Sequence, residues 1–272
     1  MKLENMKYLG LSILVALLVI NLALFAFRPL GDSFYVIADV WVAALAIMAT
    51  LAGFFAFKIH GFKSEQGKAM LFIAVGTAFW TLGEITWGVL EIFTDFKPVV
   101  SIADIFWYAG YAFFIAGMFF ICKLSSSKLG RKKWILLSVV IAIAVVSIFL
   151  IAPFAADTET PLLEKAASAG YIAEDMFLLI SMAFGLTYLW DSKFIKPWSV
   201  IFFALMLSTC ADIIYSYILG SYETGNIIDI LWNMDYILMA TGFIYNRVVI
   251  TRLFEAAQQA GASAMGKKQD KK

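Results

Sequence analysis

Eight apolar stretches, each about the length needed to cross a bilayer, follow one another along this chain, at 8–28, 35–57, 69–94, 100–122, 134–153, 168–190, 197–219 and 226–248. A helix of roughly 20 apolar residues spans the hydrocarbon core, and in lipid the backbone must satisfy its own hydrogen bonds. The chain therefore reads as an all-α integral membrane protein with eight transmembrane helices. Its 62% hydrophobic and 15% charged residues place it far from an ordinary soluble domain. A short basic flank precedes the first stretch, whose apolar run is longer than a signal-peptide core, so it reads as a retained span. Pro98 and Ser101 before the fourth span, Pro197 at the seventh, and Gly225 with Asn226 before the eighth supply start signals.

The net charge of +1 conceals a segregation, because lysines and arginines lie between the apolar runs while many acids lie within them. Lys58, Lys63 and Lys68, then Lys123, Lys128, Arg131, Lys132 and Lys133, then Lys193 and Lys196 fall in connections on one side. The opposite connections carry mainly Arg28, Lys97 and Lys165. The positive-inside bias predicts that both termini are cytoplasmic and that the protein sits in the cell membrane.

One motif occurs twice. Asp104, Trp107 and Tyr111 recur as Asp229, Trp232 and Tyr236, the same DxxWxxxY spacing displaced by 125 positions. The displacement extends to the other spans: Tyr8–Ser12 against Trp134–Ser138 at 126, YVIADVW (35–41) against YIAEDMF (171–177) at 136, and Glu84, Trp87 against Asp212, Tyr215 at 128. The chain is thus expected to be two tandem parallel four-helix repeats, 1–125 and 126–250, followed by a short cytoplasmic tail, 251–272. An even number of spans per copy places the pseudo-twofold axis along the membrane normal.

The repeat gathers the acids. Span two begins outside, span three ends outside and span four begins outside, so Asp39, Glu84 and Asp104 share the outer half of the membrane with their counterparts Asp175, Asp212 and Asp229. Helical spacing puts Glu84, Trp87 and Glu91 on one face, as it does Asp104, Trp107 and Tyr111, while Tyr35 with Asp39 and Tyr171 with Asp175 are i, i+4 pairs. Glu91, Glu174 and Asp235 are further acids found in one copy only, and no lysine or arginine lies at comparable depth. Nine such carboxylates cannot stay ionised together in low dielectric. They must be protonated, hydrated through a cavity, or neutralised by a cation.

The expected ligand-binding set is Asp39, Glu84, Trp87, Asp104, Trp107, Tyr111, Asp175, Asp212, Tyr215, Asp229, Trp232, Asp235 and Tyr236. Trp87, Trp107 and Trp232 are placed to wall an aromatic cage for an organic cation. Asp104, Asp229, Glu84 and Asp212 would serve equally as oxygen ligands to a hard metal ion. Two readings need no ligand: the acids and tyrosines form an interhelical hydrogen-bond network, or the aromatics form an interfacial belt.

Other chemistries are set aside. The single histidine, His60, falls in a cytoplasmic loop and reads as solvated, which leaves no histidine-rich zinc or haem site. Cys122 and Cys210 lie in apolar runs without partner spacing and read as reduced packing residues. No nucleophile has a histidine base nearby, no nucleotide-binding GxxxxGK[ST] loop is present, and the last span has no lysine for a retinal Schiff base. The tail lysines 267, 268, 271 and 272 suit anionic headgroups rather than nucleic acid.

The strings FWTLGEITWGVLE (79–91) and SIADIFWYAGYAFFIAG (101–117) resemble the GE/W and SxADxFYxxxY patterns of multi-span regions that precede GGDEF, PAS or histidine-kinase domains in bacteria and archaea. The likeness covers most of spans three and four and, more weakly, seven and eight. It implies a membrane sensor module with Glu84, Trp87, Asp104 and Tyr111 at the pattern positions. Only about 25 residues follow the last span here, so a sensor of this form would signal through a separate cytoplasmic partner, with Arg247–Ala262 continuing span eight as a helix. Three functions stand: a sensor-like ligand-binding module taking a cation or small polar ligand from the outer side, a secondary transporter, and a structural subunit. No catalytic motif points to an enzyme.

Overall fold

The computed structural model describes residues 3–94, 100–123, 161–218 and 221–269, together with scattered positions between 131 and 149. Seven long helices run through them: α1 (Leu3–Phe27), α2 (Phe34–His60), α3 (Glu65–Phe93), α4 (Ile102–Cys122), α5 (Leu162–Leu189), α6 (Ile195–Ile218) and α7 (Asp229–Gln269). Six carry stretches long and apolar enough to cross a membrane, and the described apolar part of α1, Ser12–Phe27, is shorter. The chain is a multi-pass helical membrane protein. The expected span 134–153 lies largely outside the described residues; those described within it are helical, and Val140 packs against Ile172, Met176 and Leu179 of α5.

Local chemistry sets the helix ends. Ser64 precedes α3 and accepts the Gly67 N–H at 2.9 Å, and Ser101 does the same for α4 by accepting from Ala103 at 3.1 Å. Pro197 falls in the first turn of α6, where its missing N–H costs no helical bond. Gly61, at φ 66°, stops α2 just after His60. That corrects the expected loop position of His60: it ends α2, is half-buried, and its Nε2 lies 2.7 Å from Asn246 Oδ1. The expected helical continuation of span eight through Arg247–Ala262 is present, and α7 runs further, to Gln269, because residues 251–262 are rich in alanine, glutamine and other helix formers and contain no proline.

The helices close into a ring, each packing on the next in the order α2, α3, α4, α5, α6, α7 and back to α2, with α1 laid against α7. Asn21, buried on α1, accepts from the Trp41 indole at 3.1 Å and donates to Ile230 O at 3.4 Å, which ties α1 to α2 and α7. Small residues permit the closest approach. A Cβ added at Gly110 would fall 2.3 Å from Trp80 Cδ1, one at Gly76 2.6 Å from Phe114, and one at Gly117 2.7 Å from Ile73.

The ring is layered along its axis. Leu45, Ala49, Met70, Ile73, Phe114, Met118, Leu178, Met182, Leu205, Met239 and Phe243 form a continuous apolar core through the middle. Val40, Leu51, Ile105, Phe119, Phe203 and Ile244 face outward, as lipid contact requires. Cys210 is exposed on the same outer surface rather than packed within. The polar residues collect at one end, where α2, α4, α5 and α7 begin and α3 and α6 finish.

Candidate functional site

At that end the six helices surround a cavity of about 150 Å³. Of the thirteen residues expected to bind a ligand, twelve line it: Asp39, Glu84, Trp87, Asp104, Trp107, Tyr111, Asp212, Tyr215, Asp229, Trp232, Asp235 and Tyr236. Asp175 stands just behind, 1% exposed, with its Oδ1 accepting from Tyr111 at 2.7 Å. Six of the lining residues are carboxylic acids and none is lysine or arginine. The cavity reaches inward from the helix ends to Glu84, nine residues from the end of α3 at Phe93 and so roughly 13 Å deep.

No lysine or arginine lines the cavity, and several of its carboxylates have neutral donors that the residue pattern alone does not assign. Glu84 Oε1 accepts from Tyr236 at 2.7 Å and from the Trp107 indole at 3.3 Å. Asp212 mirrors this, accepting from the Trp232 indole at 3.0 Å and from Tyr111 at 3.3 Å. Each tryptophan of the DxxWxxxY strings therefore serves the acid on its neighbouring helix, and each tyrosine reaches across the ring. Tyr111 has one hydrogen for two acceptors, Asp175 and Asp212, so a second hydrogen or a cation is needed to satisfy both.

Asp104 and Asp229 have a more structural position than their spacing suggests. Asp104 closes a capping box by accepting the Ser101 N–H at 2.5 Å, and its other oxygen accepts from Tyr171 at 2.6 Å. Asp229 accepts the Gly225 N–H at 2.7 Å and the Tyr222 hydroxyl at 2.9 Å. Asn226 meanwhile accepts from Ile228 N at 3.2 Å, as Ser101 does from Ala103. Burial, reinforced by the Asp229 charge, pushes the Tyr222 hydroxyl in the α6–α7 connection well above its usual range, so it stays a donor. Both oxygens of both aspartates are occupied by protein donors. Among the described residues no group of three or more Asp, Glu, His or Cys side chains could hold a metal ion, so Asp104, Asp229, Glu84 and Asp212 are not drawn into one coordination sphere.

The aromatic residues pack in contacting groups around the cavity. Tyr215, Tyr222 and Trp232 touch edge to face, with centroids 4.9, 5.8 and 6.1 Å apart, and Trp87 lies 6.4 Å from Trp107. Rings at these separations pack on one another, while Trp87, Trp107 and Trp232 all line the cavity. Their role here is to wall the cavity and to present N–H and O–H groups to the acids.

Several lining residues lie outside the expected set. Trp80 packs edge to face on Tyr111 and Phe114 and donates its indole N–H to Trp107 O at 3.1 Å. Thr224 donates to Glu91 at 2.5 Å, where the Trp87 indole also donates at 3.0 Å. Tyr171 stacks on Tyr108 at 4.6 Å, and Tyr108 donates to Ala167 O at 2.7 Å. Asn233 lines the cavity from α7 at 1% exposure. Its position was legible, since it is at i+4 from Asp229 and so shares that face, but an asparagine carries no charge to draw notice.

No known protein family, curated protein or solved structure matches this chain.

Proposed function

We propose that this protein is a sensor-like membrane module that binds a small cationic solute in the cavity between its helices. The observation that carries this reading is the lining: six carboxylic acids and no basic side chain around about 150 Å³ of buried space. Neutral donors reduce the burden of these acids without balancing their charge, and a cation arriving from solution would do so. We place the cavity in the outer half of the membrane, with eight spans and both termini cytoplasmic, on the lysine and arginine bias of the connections.

The tandem repeat belongs to the same proposal. Paired contacts support it: Trp107 to Glu84 with Trp232 to Asp212, Tyr111 to Asp212 with Tyr236 to Glu84, and the two N-terminal caps 125 residues apart. The cavity then lies on the pseudo-twofold axis, where both copies contribute acids. Output would pass along α7, which continues as a helix beyond the membrane-length segment toward a separate cytoplasmic partner.

A secondary transporter is the alternative, since embedded acids and parallel repeats are common to that class. The apolar layer of Leu45, Met70, Phe114, Met182 and Phe243 beneath the cavity favours a site reached from one side. The test is thermal unfolding of the purified protein with potassium, methylammonium and tetramethylammonium chlorides against matched neutral solutes. At least one cation should stabilise the wild type and fail to stabilise a Glu84→Gln/Asp212→Asn double variant. No stabilisation by any cation, or its persistence in the double variant, would overturn the reading. Cation flux into proteoliposomes would favour the transporter.

A further inference from the structure

Two side chains in the cavity have polar groups that the surrounding network leaves unmatched. Asn233 and Asp235 are each 1% exposed and line the cavity, and among the described residues Asn233 Nδ2, Asn233 Oδ1 and Asp235 Oδ1 have no hydrogen-bond partner. Buried polar groups are almost always paired, and a buried carboxylate without a donor is especially costly.

They also lie where the two halves of the chain diverge. At the 125-residue displacement Asn233 corresponds to Tyr108 and Asp235 to Gly110, and at the 128-residue displacement Ser208 corresponds to Trp80. In the first half the space is filled, because the Trp80 indole lies directly on Gly110. In the second half a serine and an aspartate stand at the matching places, and both line the cavity. Exchanging an indole over a glycine for a hydroxyl beside a carboxylate removes bulk and adds polarity. The second half therefore lines the cavity with smaller and more polar side chains at these places.

We infer that the α7 side of this cavity binds a primary amine that carries an amide-like group a few bonds from its ammonium group. The ammonium donates to Asp235 Oδ1, while Asn233, two residues away and so directed to the other side of the cavity-facing surface of α7, pairs its Oδ1 and Nδ2 with an amide-like group at the ligand's other end. The amine must bring the positive charge, since no lining residue is lysine or arginine. It must bring N–H donors, since a quaternary ammonium would leave Asp235 Oδ1 unmatched. A cavity near 150 Å³ can hold a benzene-sized molecule, which sets the ligand at about six to ten heavy atoms. The inference rests on the cation-binding reading above and narrows it to one ligand class.

The probe is β-alaninamide, an ammonium joined by two carbons to an amide, compared with its N,N,N-trimethyl derivative and with neutral propionamide. Added at millimolar concentration to the purified full-length protein, β-alaninamide should raise the unfolding midpoint by about 3 °C or more. The trimethyl derivative and propionamide should produce less than a third of that shift. Asp235→Asn should abolish the shift, and because asparagine keeps the shape of the side chain, the ligand-free variant should melt close to wild type. Asn233→Ala should at least halve the shift, and it supplies the test if Asp235→Asn does not fold. An equal or larger shift with the trimethyl derivative, or an undiminished shift in the variants, overturns the inference. So does no shift with β-alaninamide; if potassium or tetramethylammonium still stabilises through Glu84 and Asp212, the cation-binding reading survives, and if nothing stabilises, both fall.

Discussion

Tyr236 on α7 donates its hydroxyl hydrogen to Glu84 on α3 at 2.7 Å, joining residues 152 positions apart across the cavity. Tyr236 is 2% exposed, so its loss leaves an acid with one fewer donor in a place water reaches poorly. Tyr236→Phe should destabilise the protein by about 1 to 2 kcal/mol, within the range for interhelical hydrogen bonds in membranes. Glu84→Gln keeps the accepting oxygen and should cost less. Thermal unfolding of both variants checks the order, and a larger loss for Glu84→Gln would show that the charge rather than the hydrogen bond holds these helices.

The helix caps make a second prediction. Asp104→Ala and Asp229→Ala each remove an acceptor for one backbone N–H and one tyrosine hydroxyl. Each should cost about 1 to 2 kcal/mol, and Asp→Asn at either position should recover part of the loss by retaining a cap. Ser101→Ala and Asn226→Ala, which remove only the caps, should cost about 1 kcal/mol each. Chemical denaturation in mild detergent measures all six variants, and no loss in the alanine variants would mean the caps are unimportant to stability.

The close packing of α3 on α4 gives a third. A methyl group at Gly110 would meet Trp80 Cδ1 at 2.3 Å and Gly76 O at 3.0 Å, one of them immovable backbone. Gly110→Ala should lower stability by about 1 to 3 kcal/mol through overpacking. Adding Trp80→Phe should recover part of that loss. A melting temperature unchanged by Gly110→Ala would contradict the helix separation.

Topology can be tested with thiol reagents. Lys63 and Glu223 are both exposed, at opposite ends of the bundle. In a background without Cys122 and Cys210, Lys63→Cys and Glu223→Cys should label from opposite faces of sealed vesicles, Glu223→Cys from outside. Lys63 is preferable to neighbouring Gly61, whose φ of 66° strains any larger residue. Labelling of both from one side would overturn the expected orientation.

Much of the architecture was legible because it depends on length and polarity. Runs of about 20 apolar residues locate α2 to α6 within a few positions of their observed ends, and the helical spacing of Glu84 with Trp87 and of Asp104 with Trp107 puts them at one cavity. The partners of the acids were not legible. Whether Trp107 N–H meets Glu84 depends on the indole lying against Gly83, where an added Cβ would come within 2.4 Å, and no one-dimensional pattern records that approach. For the same reason the pattern could not assign the Trp232 indole to Asp212 or the Tyr236 hydroxyl to Glu84. The continuation of α7 beyond the apolar run was legible over Arg247–Ala262, but its far end at Gln269 was not, because a helix ends only where its backbone bonding does.

With 41 residues and no proline, α7 is a rod of roughly 60 Å that has Asp229, Asn233 and Tyr236 at the cavity and Gln269 at its far end. Mechanically it is a lever. Held by its neighbours part-way along, it would turn a tilt of about 5° into a sweep of about 3 Å at a point 30 Å beyond the pivot. Whatever docks on the protruding arm is thereby coupled, through one continuous element, to the side chains that enclose the cavity.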